Sequence, residues 1–396
     1  MQLHELMDPQ YSENPFLLYR KLHEQGPLIR ASENVMISGS HAIVEALLND
    51  RRAGKNYIES VRLRFGDELA ELPVFQGINK MFLVMNPPEH GRLRGLIMKS
   101  FSTKEIQPLR EMTLTLGNAL VDAFIDRGSC DLAKEFAFPL PVRIICRMLD
   151  LPESDAPVLG DAASALVKIF DPQITEPDLL KAGEAFSTLH DYFSALIISR
   201  QENTGLDLVS LFLGSENDSD RLQHDEIIAN VVLLFIAGHE TTSNMICNAV
   251  LALYNNPVEL ELLRQDDTLI PGAISECLRY DSSVQMLYRT ALEDIDVQGH
   301  HIKHGTNLFL ILGAANHDPA VFSSPENLDI RRKEGRCLSF GGGIHHCLGY
   351  RLALAEMEVA LHILLTRLPT MKPLISGVKR NHRANLRGVS ELPVTW

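Results

Sequence analysis

Between residues 340 and 349 the chain reads Phe340-Gly341-Gly342-Gly343-Ile344-His345-His346-Cys347-Leu348-Gly349. The glycines open backbone angles closed to other residues and let a flat ligand lie against the chain. Cys347 stands just ahead of a helical pattern, and the free N–H groups and partial positive charge at a helix N-terminus favour a thiolate. The combination is a stiff loop presenting one anionic sulfur to a planar partner. Thiolate ligation of haem iron fits it, because such a ligand pushes electron density toward O–O cleavage. On these residues alone other chemistries stay open. Cys337, His345, His346 and Cys347 could bind zinc, although they lack the paired ligand spacing of zinc sites. A nucleophilic Cys–His pair is compatible but leaves the glycines without a role. A phosphate loop would need a Lys-Ser/Thr ending that is absent.

A second group lies in the middle of an apolar stretch, Ala237-Gly238-His239-Glu240-Thr241-Thr242. Gly inside a helix costs about 1 kcal/mol relative to Ala. The Thr241 hydroxyl can reach back to the carbonyl four residues earlier and bend the helix. Small residues at 237 and 238 let something large approach the backbone. A polar helix–helix contact explains the same residues equally well.

The elements that must position these groups follow from periodicity. Apolar residues at i, i+3, i+4 and i+7 predict helices over 104–125, 177–200, 225–254 and 349–368. At 1.5 Å per residue the third would span about 45 Å. Short strands are expected late, at 295–297, 307–310 and 392–395, with a hairpin turn at Gln298-Gly299. The only linker-like stretch is 214–224, and no internal repeat is found. The expectation is a mainly α protein with small β-sheets, one domain over residues 1–396.

Composition narrows the function classes. The 396 residues are 45% hydrophobic and carry 37 − 51 = −14 net charge, which argues against nucleic-acid or anionic-membrane binding. A small basic patch for an acidic protein partner remains compatible. The N-terminus lacks a signal-peptide pattern, and the longest apolar run, 231–238, is far short of the roughly 20 residues that span a bilayer. A cytoplasmic protein is expected. Six cysteines without a CxxC pair read as reduced thiols.

The pattern F-G-x-G-x-H-x-C-x-G is filled by Phe340, Gly341, Gly343, His345, Cys347 and Gly349, and it resembles the haem-binding signature of the cytochrome P450 family. Ala237 to Thr242 resembles that family's oxygen-activation motif. Glu276-Cys277-Leu278-Arg279 resembles its E-x-x-R motif. Asn86-Pro87-Pro88-Glu89-His90 with Leu93-Arg94 resembles the segment reaching the haem propionates. The order of motifs is that of a bacterial soluble member, similar to those oxidising fatty-acyl or polyketide chains.

The resemblance implies the P450 fold, with the long central helix crossing over the haem. Cys347 would be the axial iron ligand, Glu240 and Thr241 would manage protons on the oxygen side, and Ala237 would lie against the cofactor. His90, Arg94, Arg289 and His345 would bind the propionates. Glu276, Arg279 and Arg332 would brace the core, with Arg331 a rival for the third place. Leu234, Val284, Gln285, Met286 and Leu287 would line the substrate pocket, as would 72–75, Ile78 and 169–170; their mostly aliphatic character implies an apolar substrate.

The implied activity is a monooxygenase with heme b, inserting one atom of O2 by hydroxylation or epoxidation into a fatty-acyl, polyketide or terpenoid-like molecule, free or tethered to a carrier protein. Electrons would come from NAD(P)H through a ferredoxin or flavodoxin docking on Arg92, Lys99, Arg336 and Arg351. A monomer is expected. A haem-thiolate sensor and a peroxide-driven peroxygenase are the alternatives, and the Glu240-Thr241 pair argues against both. The chain departs from the family's habit at Asn86 (commonly Asp), His317 (commonly Arg), Leu354 (commonly Arg) and Cys337 (often His).

Overall fold

The structure, a computed structural model, describes residues 1–98, 101, 103–202, 205, 207–213, 222–381 and 383–396. Lys99 and residues 214–221, most of the expected linker, lie outside the described residues. Helices dominate, and the four long ones run over Thr103–Asp122, Glu176–Glu202, His224–Asn255 and Tyr350–Arg367. None of the described helices is long and apolar enough to cross a membrane.

Several helix starts are written locally. Asp8 and Asn14 each accept a hydrogen bond from the N–H two residues on, and each precedes a proline at the first helical position. That pairing satisfies one orphan donor while the proline lacks the other.

The β-structure begins earlier than expected. Ile29–Ser32 and Val35–Ser38 join Asn307–Ile311, Met286–Ala291 and Ala53–Gly54, in that order, in a five-stranded sheet. Val35–Ser38 runs parallel to Asn307–Ile311, with Val35 opposite Asn307 and Ser38 opposite Leu310. Alternation along the strands divides the core. Met36, Leu308 and Leu310 enter one apolar cluster with Leu47, Leu48 and Leu338. Ile37 and Ile311 enter another with Leu6, Leu18, Tyr19 and Leu22. The small hairpin Ile295–Val297/His300–Ile302 turns at Gln298 and Gly299, both at positive φ (50° and 79°), as a tight hairpin requires.

The chain divides into two units. One contains Met1–Gly54, Leu109–Leu140 and Thr241–Trp396, and holds the five-stranded sheet, both clusters just named and the helix Tyr350–Arg367. The other contains Lys55–Pro108 and Pro141–Glu240, and is helical. Within it Gly77 of the helix Pro73–Asn79 packs so closely on Glu176–Glu202 that a Cβ there would stand 2.0 Å from the Phe186 ring.

Candidate functional site

The cysteine loop is built by backbone geometry. Gly341 and Gly343 take positive φ (69° and 61°), where other residues are strained. A Cβ on Gly343 would stand 2.1 Å from the Leu48 carbonyl oxygen, so the loop seats directly on the end of the helix His41–Asn49. The Cys347 N–H donates to the Phe340 carbonyl (2.9 Å), and the His346 N–H to Gly343 (3.1 Å). Cys347 is half-buried, two residues ahead of Gly349, which caps the helix Tyr350–Arg367. The Phe340 ring packs on Tyr350, centroids 6.1 Å apart.

Behind the loop Glu276 and Arg279 form a two-pronged pair, Oε1 to Nη2 at 2.7 Å and Oε2 to Nε at 2.8 Å. Both side chains are almost wholly buried. Three apart on Ile270–Tyr280, they meet on one helix face. Arg332, rather than the exposed Arg331, reaches Glu276 Oε1 at 3.2 Å. Arg279 Nη1 also donates to the Asn316 and Pro325 carbonyls, and Nη2 to Asn327. Asn316 carries the brace forward: its Oδ1 accepts from the Leu338 N–H (2.8 Å) and its Nδ2 donates to Ser339 Oγ (2.8 Å). Ser339 Oγ in turn donates to the Leu278 carbonyl (2.7 Å). These bonds hold the stem of the cysteine loop. Asp318 caps the helix under that loop by accepting from the His41 N–H (2.8 Å). The sequence reading assigned no role to Asn316, Ser339 or Asp318, whose partners lie far away in the chain.

Arg289 gives a test of whether a carboxylate-bearing group belongs here. Its side chain is buried, it donates to the adjacent Tyr288 carbonyl (3.0 Å), and it forms no ion pair among the described residues. Burial pulls its pKa down to about 10. A buried guanidinium asks for an anion, and a haem propionate supplies one through charge-assisted bonds. The residues present therefore fit a haem: a sulfur on a glycine cradle, and a buried cation suited to a carboxylate. His345, half-buried in the turn Gly343–His345, belongs to the same unit.

The long helix shows the complementary feature. From Ile227 to Leu253 its residues are buried except Ala237, Gly238 and Thr241. Those three share one face, at i, i+1 and i+4, and none has a side chain larger than threonine. A flat group can come close to the backbone there. Glu240 is buried beside them, and His239 is buried with its pKa pushed down to about 4, so its ring is neutral near pH 7.

In the helical unit, His90 and Arg94 lie four apart on Glu89–Met98, His90 buried and Arg94 half-buried. Asn86 anchors the approach to that helix: its Oδ1 accepts from the Lys55 N–H (2.8 Å) and its Nδ2 donates to the Lys55 carbonyl (2.7 Å). An aspartate could make only the first bond, which accounts for the amide at this position. Arg92 is committed to Glu226 in a partly buried ion pair, which removes it from the expected docking patch.

The expected pocket residues divide. Val284 and Leu287 are half-buried and pack against the cluster containing Leu48 and Leu338. A Cβ on Gly341 would stand 3.3 Å from Leu287 Cδ1, which places Leu287 beside the cysteine loop. Leu234 is buried on the long helix. Gln285 and Met286 are corrections: Gln285 Oε1 accepts from the Tyr19 hydroxyl, and Met286 packs with Tyr19, Leu18 and Leu22 in the other cluster. Successive residues of a strand point to opposite faces, so Met286 and Leu287 cannot both face the loop. His317 sits among Phe16, Tyr19 and Tyr280, its Nδ1 on the Gly313 carbonyl (2.8 Å). Cys337 Sγ donates to Ser339 Oγ (3.1 Å), so it joins the brace.

A glycine-cradled sulfur, a buried cation and a helix open at its midpoint define a protein able to hold haem through a thiolate. Comparison with known proteins agrees. Residues 12–374 match the family described as Cytochrome P450. A Xylella fastidiosa (strain 9a5c) protein bearing the name cytochrome P450 133B1 is 48% identical over 396 residues, covering 100% of this chain and 98% of its own. The 20-oxo-5-O-mycaminosyltylactone 23-monooxygenase of Streptomyces fradiae is 36% identical, covering 96% and 89%. Among solved structures, P450BioI in complex with hexadec-9Z-enoic acid ligated acyl carrier protein superposes with a TM-score of 0.92 at 32% identity, covering 98% of this chain and 100% of that one. The chain belongs to the cytochrome P450 family. It is a monooxygenase that uses heme b, with electrons drawn from NAD(P)H through redox partners.

Proposed function

We propose that Cys347 is the haem-iron ligand and that the enzyme inserts one oxygen atom of O2 into an apolar acyl or polyketide chain. When bound, haem supplies the iron at which dioxygen is activated. The observation that carries the reading is the loop itself: Gly343 at positive φ under Leu48, with the Cys347 N–H tied to Phe340, fixes the sulfur by backbone geometry. Arg289, His345, His90 and Arg94 bind and orient the propionate carboxylates. Phe340, Gly341 and Gly349 shape the loop, and Ala237 allows close approach to the backbone of the long helix. Glu240 holds a proton at its carboxyl, and the Thr241 hydroxyl passes it on. Leu234, Val284 and Leu287 exclude water and select an apolar substrate.

Support for an acyl-chain substrate comes from a relative that binds acyl carrier protein ligated with hexadec-9Z-enoic acid, and support for a polyketide from one that acts on a mycaminosyl-tylactone, a ring lactone. A ferredoxin or flavodoxin delivers the electrons in this reading. With Arg92 engaged, Arg336 and Arg351 are the exposed members of the expected patch among the described residues, though Arg336 touches Glu45 at 3.4 Å. An Arg351→Glu variant should slow reduction by an acidic ferredoxin; an unchanged rate removes Arg351 from the docking surface. The ligand assignment is tested by the reduced, carbon-monoxide-bound spectrum. A strongly red-shifted Soret band in the wild type that disappears in Cys347→Ser supports it. A haem spectrum without the shift in the wild type overturns it.

A further inference from the structure

One side chain ties the segment carrying Val284 and Leu287 to a remote part of the chain. Gln285 lies between them, buried, and each of its polar groups is used. Its Oε1 accepts from the Tyr19 hydroxyl (2.5 Å) and its Nε2 donates to the Ser282 carbonyl (2.7 Å). Its N–H donates to the Asn385 carbonyl (2.9 Å), and its own carbonyl accepts from the Gly313 N–H (3.3 Å). The four partners come from four separate stretches of chain. Gly313 is what lets the first two meet: a Cβ there would stand 2.3 Å from the Tyr19 hydroxyl oxygen and 2.5 Å from Gln285 Oε1.

The neighbours of Gln285 are held less tightly. Val284 and Leu287 are half-buried, while Gln285 and Met286 are buried on the side of Tyr19. The other anchors of this stretch are the ladder that pairs Met286 with Ile311 and Leu287 with Leu310, the bridge from Val284 to Leu386, the Ser282 Oγ bond to the Val284 carbonyl (3.0 Å), the Arg387 N–H bond to the Ser283 carbonyl (2.7 Å) and the Ser283 N–H contact with Met245 Sδ (3.0 Å). The ladder sets the register from Met286 onward, and the Tyr19 bond is what ties the side chain of Gln285, just before it, to a remote stretch of chain.

We propose that Tyr19, through Gln285, is a remote specificity-determining residue that positions Val284 and Leu287 against the substrate. The proposal rests on the reading that Val284 and Leu287 line the substrate side. Tyr19 touches neither residue's apolar face toward the loop; it acts by holding the backbone between them. Loss of the lock loosens residues 284 and 285, where the chain enters the ladder, and a bulky ligand that must order them bears that cost while a small one does not.

The test uses the full haem-loaded enzyme, titrated with imidazole and with 4-phenylimidazole while the Soret shift of nitrogen ligation is followed. In Tyr19→Phe and in Gln285→Leu, 4-phenylimidazole binding should weaken about three- to tenfold, the range for remote coupling. Imidazole affinity and the carbon-monoxide spectrum should stay unchanged. The double variant should be no weaker than the worse single one, because both remove the same bond. Leu287→Ala is the control for the pocket itself. If it shifts 4-phenylimidazole binding and neither lock variant does, the pocket stands and the lock is refuted. If Leu287→Ala has no effect, the pocket reading fails and takes the lock with it. Equal weakening of both ligands in Tyr19→Phe marks a general loosening and overturns the proposal. Should either lock variant fail to accumulate as folded haem protein, the other carries the test alone.

Discussion

Replacing Glu276 with Gln isolates the charge in the brace behind the cysteine loop. Glu276 accepts from Arg279 Nη2 and Nε, from Arg332 Nε and from the Asp329 N–H, at 2.7, 2.8, 3.2 and 3.0 Å. A glutamine with its oxygen at the Oε1 position keeps three of these. Its amide nitrogen then faces the Arg279 Nε–H, donor against donor, and the buried guanidinium has lost its counter-charge. A charge-assisted bond contributes about 1.5–3 kcal/mol, and breaking a buried pair from one side costs about 3–5 kcal/mol. A loss of about 4 kcal/mol is expected, a large share of the roughly 5–15 kcal/mol that holds a domain folded. Arg332→Ala removes its 3.2 Å bond to Glu276 and its more exposed bonds to the Ser323 and Asn327 carbonyls and to Glu334, but leaves the two-pronged pair intact, so about 1–3 kcal/mol should go. Urea unfolding of the haem protein, followed together by far-ultraviolet dichroism and the Soret band, measures both. Since Asn316 transmits the brace to Leu338 and Ser339, the Glu276→Gln protein should also lose the red-shifted carbon-monoxide band at lower urea than the wild type. Stability within about 1 kcal/mol of wild type, or a greater loss in Arg332→Ala than in Glu276→Gln, would refute the reasoning.

Further outcomes follow from the same geometry. Thr241→Ala should uncouple electron consumption from product and release hydrogen peroxide, measured as NAD(P)H consumed per product formed; full coupling removes the threonine from the proton path. Gly343→Ala should cost about 2 kcal/mol or more from its positive φ alone, before the contact with Leu48 is counted, and the purified protein should retain little haem. Stability should fall on acidification below about pH 6.5, because the unfolded chain protonates His239 and His317 there while the folded chain holds them neutral down to about 4 and about 3. The slope is about 1.4 kcal/mol per pH unit for each histidine, and His317→Gln should flatten it by one proton in denaturation series between pH 7 and 4.5.

The cysteine loop and the E-x-x-R pair were legible because their meaning is local. Glycines, a sulfur and two charges three apart keep their significance whatever surrounds them. The long helices were legible too, since each repeats its apolar period many times; His224–Asn255 lies within a residue of expectation at each end. The early strands were not. Ile29–Ser32 and Val35–Ser38 are four residues each, too short to show a period against neighbouring helices. Met286 was misplaced because the phase of a strand is set by its partner Ile311, not by its own residue types. Tyr19 and Gln285, 266 residues apart, carry no mutual signal in one sequence, and Asn316 with Ser339 is hidden for the same reason. His317 stood out as a departure, but its aromatic surroundings come from two remote stretches.

The bonds that tie the brace to the stem of the cysteine loop join residues of a single unit: Leu48, Glu276, Arg279, Asn316, Arg332, Leu338 and Ser339 all fall in 1–54 or 241–396. Residues 55–108 and 141–240 contribute none of these. Mutational tolerance should therefore be sharply uneven along the chain. Variation in the helical unit, outside tight contacts such as that of Gly77 with Phe186, can reshape what the enzyme accepts while the sulfur stays where it is. Directed evolution toward new substrates has its widest safe ground in those two stretches once His90, Arg94, Ala237 and Glu240 are kept, and laboratory libraries so confined should retain the thiolate spectrum far more often than libraries spread over the rest.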